Sequence, residues 1–137
     1  MNPLRIYSPG PQIEIVGSGW RKLREGLPSL TNMRGHWGKK DKLAGSHRQI
    51  GALLALLALR DGGITKAKLP SPLGIVIWRI GRPRLDSNNV HGSVKSVQDG
   101  VAEYLGVGDG IRSGVVWYAD QELGDPGVRL EIGRCLP

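Results

Sequence analysis

The chain of 137 residues lacks several features that mark particular protein classes. Its single cysteine, Cys135, cannot form a disulfide within the chain, which excludes a disulfide-stapled secreted domain and fits a reducing compartment. Phenylalanine is absent, and the aromatic residues are four Trp and three Tyr. We therefore expect a core of Val, Ile and Leu with the Trp residues, of which Trp37 is the one to consider for stacking on DNA.

Long hydrophobic runs are also missing. The most apolar stretch, Ile50 to Leu59, is about ten residues, whereas roughly 20 are needed to cross a bilayer. The N-terminal residues have no apolar core typical of a signal peptide. We expect a soluble, intracellular protein with no membrane partner.

The charge is distributed unevenly along the chain. Residues 1–81 contain 13 Lys and Arg against 4 Asp and Glu, whereas residues 82–137 contain 6 against 8. The whole chain has a net charge of +7 and a pI of about 10.0. A basic half beside a slightly acidic half predicts that one part holds a polyanion, with nucleic acid as the first candidate.

The patterning predicts one α/β domain over residues 1–137, with a mixed sheet and two principal helices. A strand is expected at Gln12–Val16 and a helix from about Trp37 to Arg60, with the irregular segment 17–38 between them. Leu73–Ile80 is typical of a buried central strand. Shorter strands are expected at Val115–Tyr118 and over residues 128–132.

The clearest helix carries one apolar stripe, formed by Val90, Val94, Val97, Val101 and Leu105. Asn88 or Asn89 is the expected N-cap. On the opposite side Lys95 and Asp99 stand four residues apart, so they are either site residues or an exposed ion pair.

Residues 84–111 read RLDSNNVHGSVKSVQDGVAEYLGVGDGI. This segment resembles the RusA-type Holliday junction resolvases, above all their phage-borne relatives. The family has an Asp-x-Asp-Asn element after a strand, a helix with Lys-x-x-x-Asp, and an acidic turn into the next strand. Residues 28–32 and 36–37 resemble the family's basic N-terminal region more loosely.

The resemblance implies a catalytic set of Asp86, Asn88, Lys95 and Asp109. Asp86, Asn88 and Asp109 would hold Mg²⁺, with Mn²⁺ as an alternative ion. Asn88 stands where the family has its second aspartate, and Gly108 stands where many members have the first acid of the turn. An amide brings no negative charge and cannot act as a base, so weak metal binding and weakened or absent cleavage are expected. Asn88 could equally be a helix cap, and Asp86 and Asp109 could be turn residues.

The geometry of this set raises a question. In an extended segment residues 86 and 88 would point the same way and could address one ion. Asp86 and Asp109, however, flank a helix of roughly 15 residues, or about 22 Å of axis. We hypothesise that the helix begins near Ser93, so that the site closes within one chain.

Phosphate contacts are expected from a cluster of basic side chains, whereas His47 is expected on a solvated face. The predicted DNA-binding residues are Arg21, Lys22, Arg24, Arg34, Lys39, Lys40, Lys42, Arg48 and Arg84.

The resemblance implies a homodimer that resolves four-way DNA junctions, since two opposed strands need two active sites. It also implies the cytoplasm of a bacterium or of a phage-infected cell. The alternatives are a non-catalytic module that binds branched DNA on the same scaffold, and a basic RNA-binding protein.

Overall fold

The structure is a computed structural model that describes residues 4–6, 12–24, 26–27, 37–108 and 114–136, with residues 4–6 and 37–41 described by their backbone alone. These ranges contain the strands β1 (Leu4–Ile6), β2 (Gln12–Lys22), β3 (Leu73–Ile80), β4 (Val116–Glu122) and β5 (Gly127–Leu136), and the helices α1 (Trp37–Gly62) and α2 (Ser87–Leu105). A short 3-10 helix, Lys66–Lys68, follows α1. The prediction of an α/β domain with a mixed sheet and two principal helices is confirmed.

The strands form one sheet in the order β1-β2-β5-β3-β4. β3 and β4 run parallel, joined through α2, and the other neighbours are antiparallel. The central strand β3 has the predicted bounds. β2 continues to Lys22, well beyond the predicted Val16, because its second half pairs with β5 after a β-bulge between Ile15 and Gly17. The prediction of an irregular segment was therefore wrong over residues 17–22, since sheet pairing outweighs the weak strand preference of glycine, and residues 25 and 28–36 of that segment lie outside the described part.

Glycines let α1 approach β2 and α2 closely. A Cβ on Gly17 would lie 2.1 Å from the carbonyl oxygen of Ala58, and a Cβ on Gly51 would lie 2.1 Å from that of Val97. Neither position has room for a side chain. The Gly17-Ser18-Gly19 segment is thus explained by helix–strand packing.

Both helices cover the same face of the sheet. Their apolar side chains pack with residues of β3 and β5, and the predicted α2 stripe is buried from Val90 to Leu105. Ile13, Ile15 and Val76 form a second, smaller cluster on the opposite face. None of the helices in the described ranges is both long and apolar enough to cross a membrane.

Candidate functional site

The ends of three strands meet at one end of the sheet. β3 and β4 finish side by side at Ile80 and Glu122, and Gly127 at the start of β5 pairs with both Ile80 and Lys22. Neighbouring strands are about 4.8 Å apart, so Lys22 and Ile80 lie roughly 10 Å from one another. The basic end of β2 and the segment leading to Asp86 therefore leave the sheet at the same end.

Arg79 joins these two segments from inside the protein. Its side chain is only 5% exposed, and burial lowers the pKa of its guanidinium from its usual value. Nε donates to the carbonyl oxygen of Leu27 at 3.1 Å, and Nη1 donates to that of Pro83 at 3.1 Å. One buried cation thus fixes both the chain after β2 and the chain after β3.

Gln121 of β4 holds the residue before Asp86. Its Oε1 accepts from the Leu85 N–H at 2.9 Å, and its Nε2 donates to the Leu85 carbonyl oxygen at 2.5 Å. The side-chain amide therefore pairs with the main chain as a strand neighbour would. Asp86 enters α2 from an anchored position.

Asp86 is the N-cap of α2, which corrects the prediction of Asn88 or Asn89. Its Oδ1 accepts from the Asn89 N–H at 3.0 Å. Asn88 is exposed in the first turn of the helix. The assumption that residues 86 and 88 share an extended segment was wrong, because only Asp86 has extended backbone angles and residues two apart in a helix do not face each other.

An open cleft of about 360 Å³ lies beside the start of α2 and is here called the Asp86 cleft. It is lined by Arg84, Leu85, Asp86, Ser87, Val90, His91, Tyr118, Ala119, Asp120 and Gln121. Asp120 brings a second carboxylate to this cleft and was missed by the sequence analysis. The parallel pairing of β3 with β4 places it there, and no short motif signals such long-range placement.

The hypothesis of a helix beginning near Ser93 was also wrong, because α2 begins at Ser87. It ends at Gly106, whose left-handed backbone terminates the helix. Gly108 lies near Trp117, whose Nε1 donates to its carbonyl oxygen at 3.2 Å. Trp117 thus binds the C-terminal part of the RusA-like segment, whereas Gln121 binds its N-terminal part at Leu85. The two residues are four positions, or about 13 Å, apart along β4, so these two parts of the segment are held at separate places. Asp109 lies outside the described residues.

Lys95 and Asp99 form an ion pair on the exposed side of α2, with 3.0 Å between Nζ and Oδ1. An exposed ion pair is one of the two alternatives that the sequence left open for these residues. A catalytic role of Lys95 stays a prediction.

Three of the predicted DNA-binding cations lie together in a groove of about 510 Å³ between the end of β2 and α1. This basic groove is lined by Arg21, Lys22, Leu23, Arg24, Ser46, Gln49, Ile50 and Leu53. The three cations are exposed, and within the described part of the chain no carboxylate pairs with them. Ser46 and Gln49 add neutral hydrogen-bonding groups. Such a surface suits the oxygens of a phosphate backbone.

The remaining predicted cations are spread more widely. Arg84 lines the Asp86 cleft, and Arg48 lines a different cleft with Lys66 and Tyr104. Lys42 is exposed on α1. Arg34 lies outside the described residues, and so do the side chains of Lys39 and Lys40.

Two further expectations were wrong. His47 is 4% exposed and not solvated, because it lies on the face of α1 turned toward the protein. Trp20 is 55% exposed and does not belong to the core, because it lies on the sheet face opposite the helices. The side chain of Trp37 is outside the described part.

The donor set of the Asp86 cleft fits Mg²⁺, which binds one or two carboxylates and keeps several waters. Asp86 and Asp120 supply carboxylates to a cleft that is open to solvent. Across the ranges described, no three His, Cys, Asp or Glu side chains gather as a metal-binding group. Asp86 is the one carboxylate of the predicted metal set that can be placed.

Comparison with known proteins assigns no family to the chain. No protein-family model matches the chain, and no curated protein is significantly similar to it in sequence.

Proposed function

We propose that this chain is a RusA-type protein that binds branched DNA, four-way junctions above all, on the scaffold of a Mg²⁺-dependent endodeoxyribonuclease. The proposal rests on one observation, the position of the Asp86 cleft relative to the basic groove. Asp86, at the start of the RusA-like segment, lines a solvent-open cleft at the same end of the sheet as the exposed cations of the basic groove. A polyanion held in the groove would pass close to the carboxylates.

In this proposal the two surfaces have different tasks. Arg21, Lys22 and Arg24 hold the phosphate backbone without reading its sequence. Asp86 holds Mg²⁺ in the cleft, where the ion, when bound, supplies an activated water and neutralises charge on the phosphoryl oxygens. Arg84, on the rim of the same cleft, contacts the phosphate next to the one that is cut.

Asn88 sets the level of activity. It stands at the position of the family's second aspartate, and its amide oxygen adds no charge to the metal site. We expect the natural chain to bind junctions and to cut them slowly. A homodimer would bring two such sites to the two opposed strands of a junction.

Cleavage of an end-labelled four-way junction with Mg²⁺ or Mn²⁺ tests the enzyme. We expect Asn88→Asp to cut at least about 100-fold faster than the natural chain, because it restores the family's second aspartate and adds negative charge in the helical turn next to Asp86. The matched control is the double variant Asp86→Asn/Asn88→Asp, which should bind the junction and leave it intact. If the natural chain and Asn88→Asp both bind the junction and neither cuts it, the endonuclease proposal is overturned.

A second candidate is a non-catalytic protein that binds branched DNA on the same scaffold. Asn88 favours it, as does the use of Asp86 Oδ1 as a helix cap. This candidate predicts that junction binding is the same with Mg²⁺ and with EDTA. The enzyme predicts tighter binding with Mg²⁺, because Asp86 would hold an ion whose positive charge would attract the DNA phosphates.

A further inference from the structure

Trp20 stands apart from the other tryptophans whose side chains are described. Trp78 and Trp117 are partly buried, and their Nε1 groups donate to Glu131 and to the carbonyl oxygen of Gly108. Trp20 is 55% exposed. No acceptor for its Nε1 lies in the described part of the chain. A large apolar ring is thus presented to solvent on a sheet strand.

The ring is held in place along one edge. Trp20 pairs with Arg129 of β5, and a Cβ on Gly127 would lie 3.4 Å from Trp20 Nε1. The absence of a side chain at Gly127 therefore lets the indole lie against the backbone of β5. An indole supported in this way is a preformed stacking surface.

The surroundings of Trp20 are cationic. Lys22 follows it on the same face of β2, and Arg21 lies between them on the side of the basic groove. Across the strand pair, the Arg129 guanidinium lies 4.9 Å from the centroid of the Trp78 ring and pairs with Glu122. Arg129 is thus engaged within the protein, whereas Lys22 and Arg21 are exposed and have no carboxylate partner among the residues that the structure describes.

We infer that Trp20 stacks on an unpaired base of the DNA whose phosphates lie in the basic groove. This inference rests on the proposed function and names a contact that it does not include. Base faces in a duplex are covered by their neighbours, so an indole can stack only on a base at a branch point, at a strand end or turned out of the helix. An isolated ring among cations suits a nucleotide better than a protein partner, which needs a contiguous apolar patch.

Leu123 supplies the matched control, because among the described residues it is the other large hydrophobic side chain that is exposed, at 49%. The probe is a four-way junction that carries 2-aminopurine at the branch point, beside a linear duplex of the same sequence. Stacking on an indole quenches 2-aminopurine fluorescence. We expect the natural chain and Leu123→Ala to quench the probe and Trp20→Ala to leave it bright.

The affinities should follow the same pattern. Trp20→Ala should lose about 5-fold to 100-fold in junction affinity, the range for one base stacked on an aromatic ring, and should keep its duplex affinity. Trp20→Phe should recover most of the loss. Quenching by Trp20→Ala equal to that of the natural chain would overturn the inference while leaving the proposed function in place.

Two other outcomes also count against it. A natural chain that binds neither DNA would overturn the proposed function and this inference together. If Trp20→Ala turns a dimer into a monomer in analytical ultracentrifugation, the ring belongs to a protein interface and the stacking role is overturned.

Discussion

The basic groove and the Asp86 cleft lie at the same end of the sheet, yet they are built in opposite ways. Arg21, Lys22 and Arg24 are exposed and lack a carboxylate partner in the described part of the chain. The backbone beside Asp86 is fixed by Gln121 and by the buried Arg79. A surface that holds a polyanion by charge tolerates loose side chains, whereas a site for phosphodiester chemistry needs fixed geometry.

This difference predicts that binding and chemistry can be separated by mutation. Changes in the groove should act through salt-dependent affinity. Changes around the cleft should act through stability and through cleavage in the Asn88→Asp background.

The largest effect is expected from Arg79→Ala, which breaks the link between the two regions. The carbonyl oxygen of Leu27, in a buried contact, and that of Pro83, in a partly buried one, would lose a charged donor, so we expect a loss of roughly 3 to 5 kcal/mol in the free energy of unfolding. Urea denaturation measures it. Arg79→Lys should recover less than half, because an ammonium cannot reproduce the planar fork. Full recovery by lysine would show that charge alone matters there.

The next effect concerns the groove alone. Changing Arg21, Lys22 and Arg24 together to alanine should lower DNA affinity on the order of 100-fold at 0.1 M salt and make the log–log salt dependence shallower by about 2 to 3. Fluorescence anisotropy measures both quantities. The urea midpoint should stay unchanged, since all three side chains are exposed. An unchanged salt dependence would exclude the groove as the phosphate contact.

A smaller effect is expected at the cleft from Gln121→Ala. Leu85 would lose both of its hydrogen bonds to this side chain, which should cost about 1 to 2 kcal/mol of stability. Cleavage by Asn88→Asp should fall while junction affinity is kept. A loss of affinity equal to the loss of cleavage would contradict the separation of the two regions.

The smallest effect concerns pH and His47. Burial lowers its pKa from the ordinary value of 6.5, and its Nδ1 has no hydrogen-bond partner among the residues that the structure describes. The unfolded chain therefore takes up this proton at higher pH than the folded chain does. The contribution to stability is complete above about pH 6.5 and is lost as the pH falls toward the folded-state pKa.

His47→Gln should therefore reduce the loss of stability between pH 7.5 and pH 5. Urea midpoints at the two pH values give the answer. Equal pH dependence in the natural chain and His47→Gln would contradict the assignment.

The local pattern of apolar residues was sufficient to predict the elements whose buried residues recur at one regular spacing. The continuous apolar run of β3 and the valine stripe of α2 were placed correctly because each reports its own packing. The second half of β2 was missed, because its strand character comes from pairing with β5 over a hundred residues away. The same reason hides Gln121 and Arg79, whose partners Leu85 and Leu27 are distant in the sequence, and it hides the placement of Asp120 in the cleft.

The motif that marks the site could be found in the sequence, whereas the arrangement of its side chains in space could not. The sequence pointed to Asp86 as a site residue, but the start of α2 makes it a helix cap. The exposure of Trp20 and the burial of His47 depend on which side each residue turns. The side to which each residue turns is set by the bulge in β2 and by the close crossing of the two helices. Neither feature produces a regular spacing of apolar residues that could be recognised in the sequence.

The most direct test of the central claim is binding of the natural chain to a four-way junction and to a linear duplex of the same sequence, measured with Mg²⁺ over a range of salt concentrations. We expect the junction to bind at least about ten-fold more tightly and the log–log salt slope to be steeper than about −2, as several neutralised phosphates require. Equal affinity for the two DNAs, or a slope shallower than about −2, would contradict the claim that this chain binds branched DNA through its basic groove.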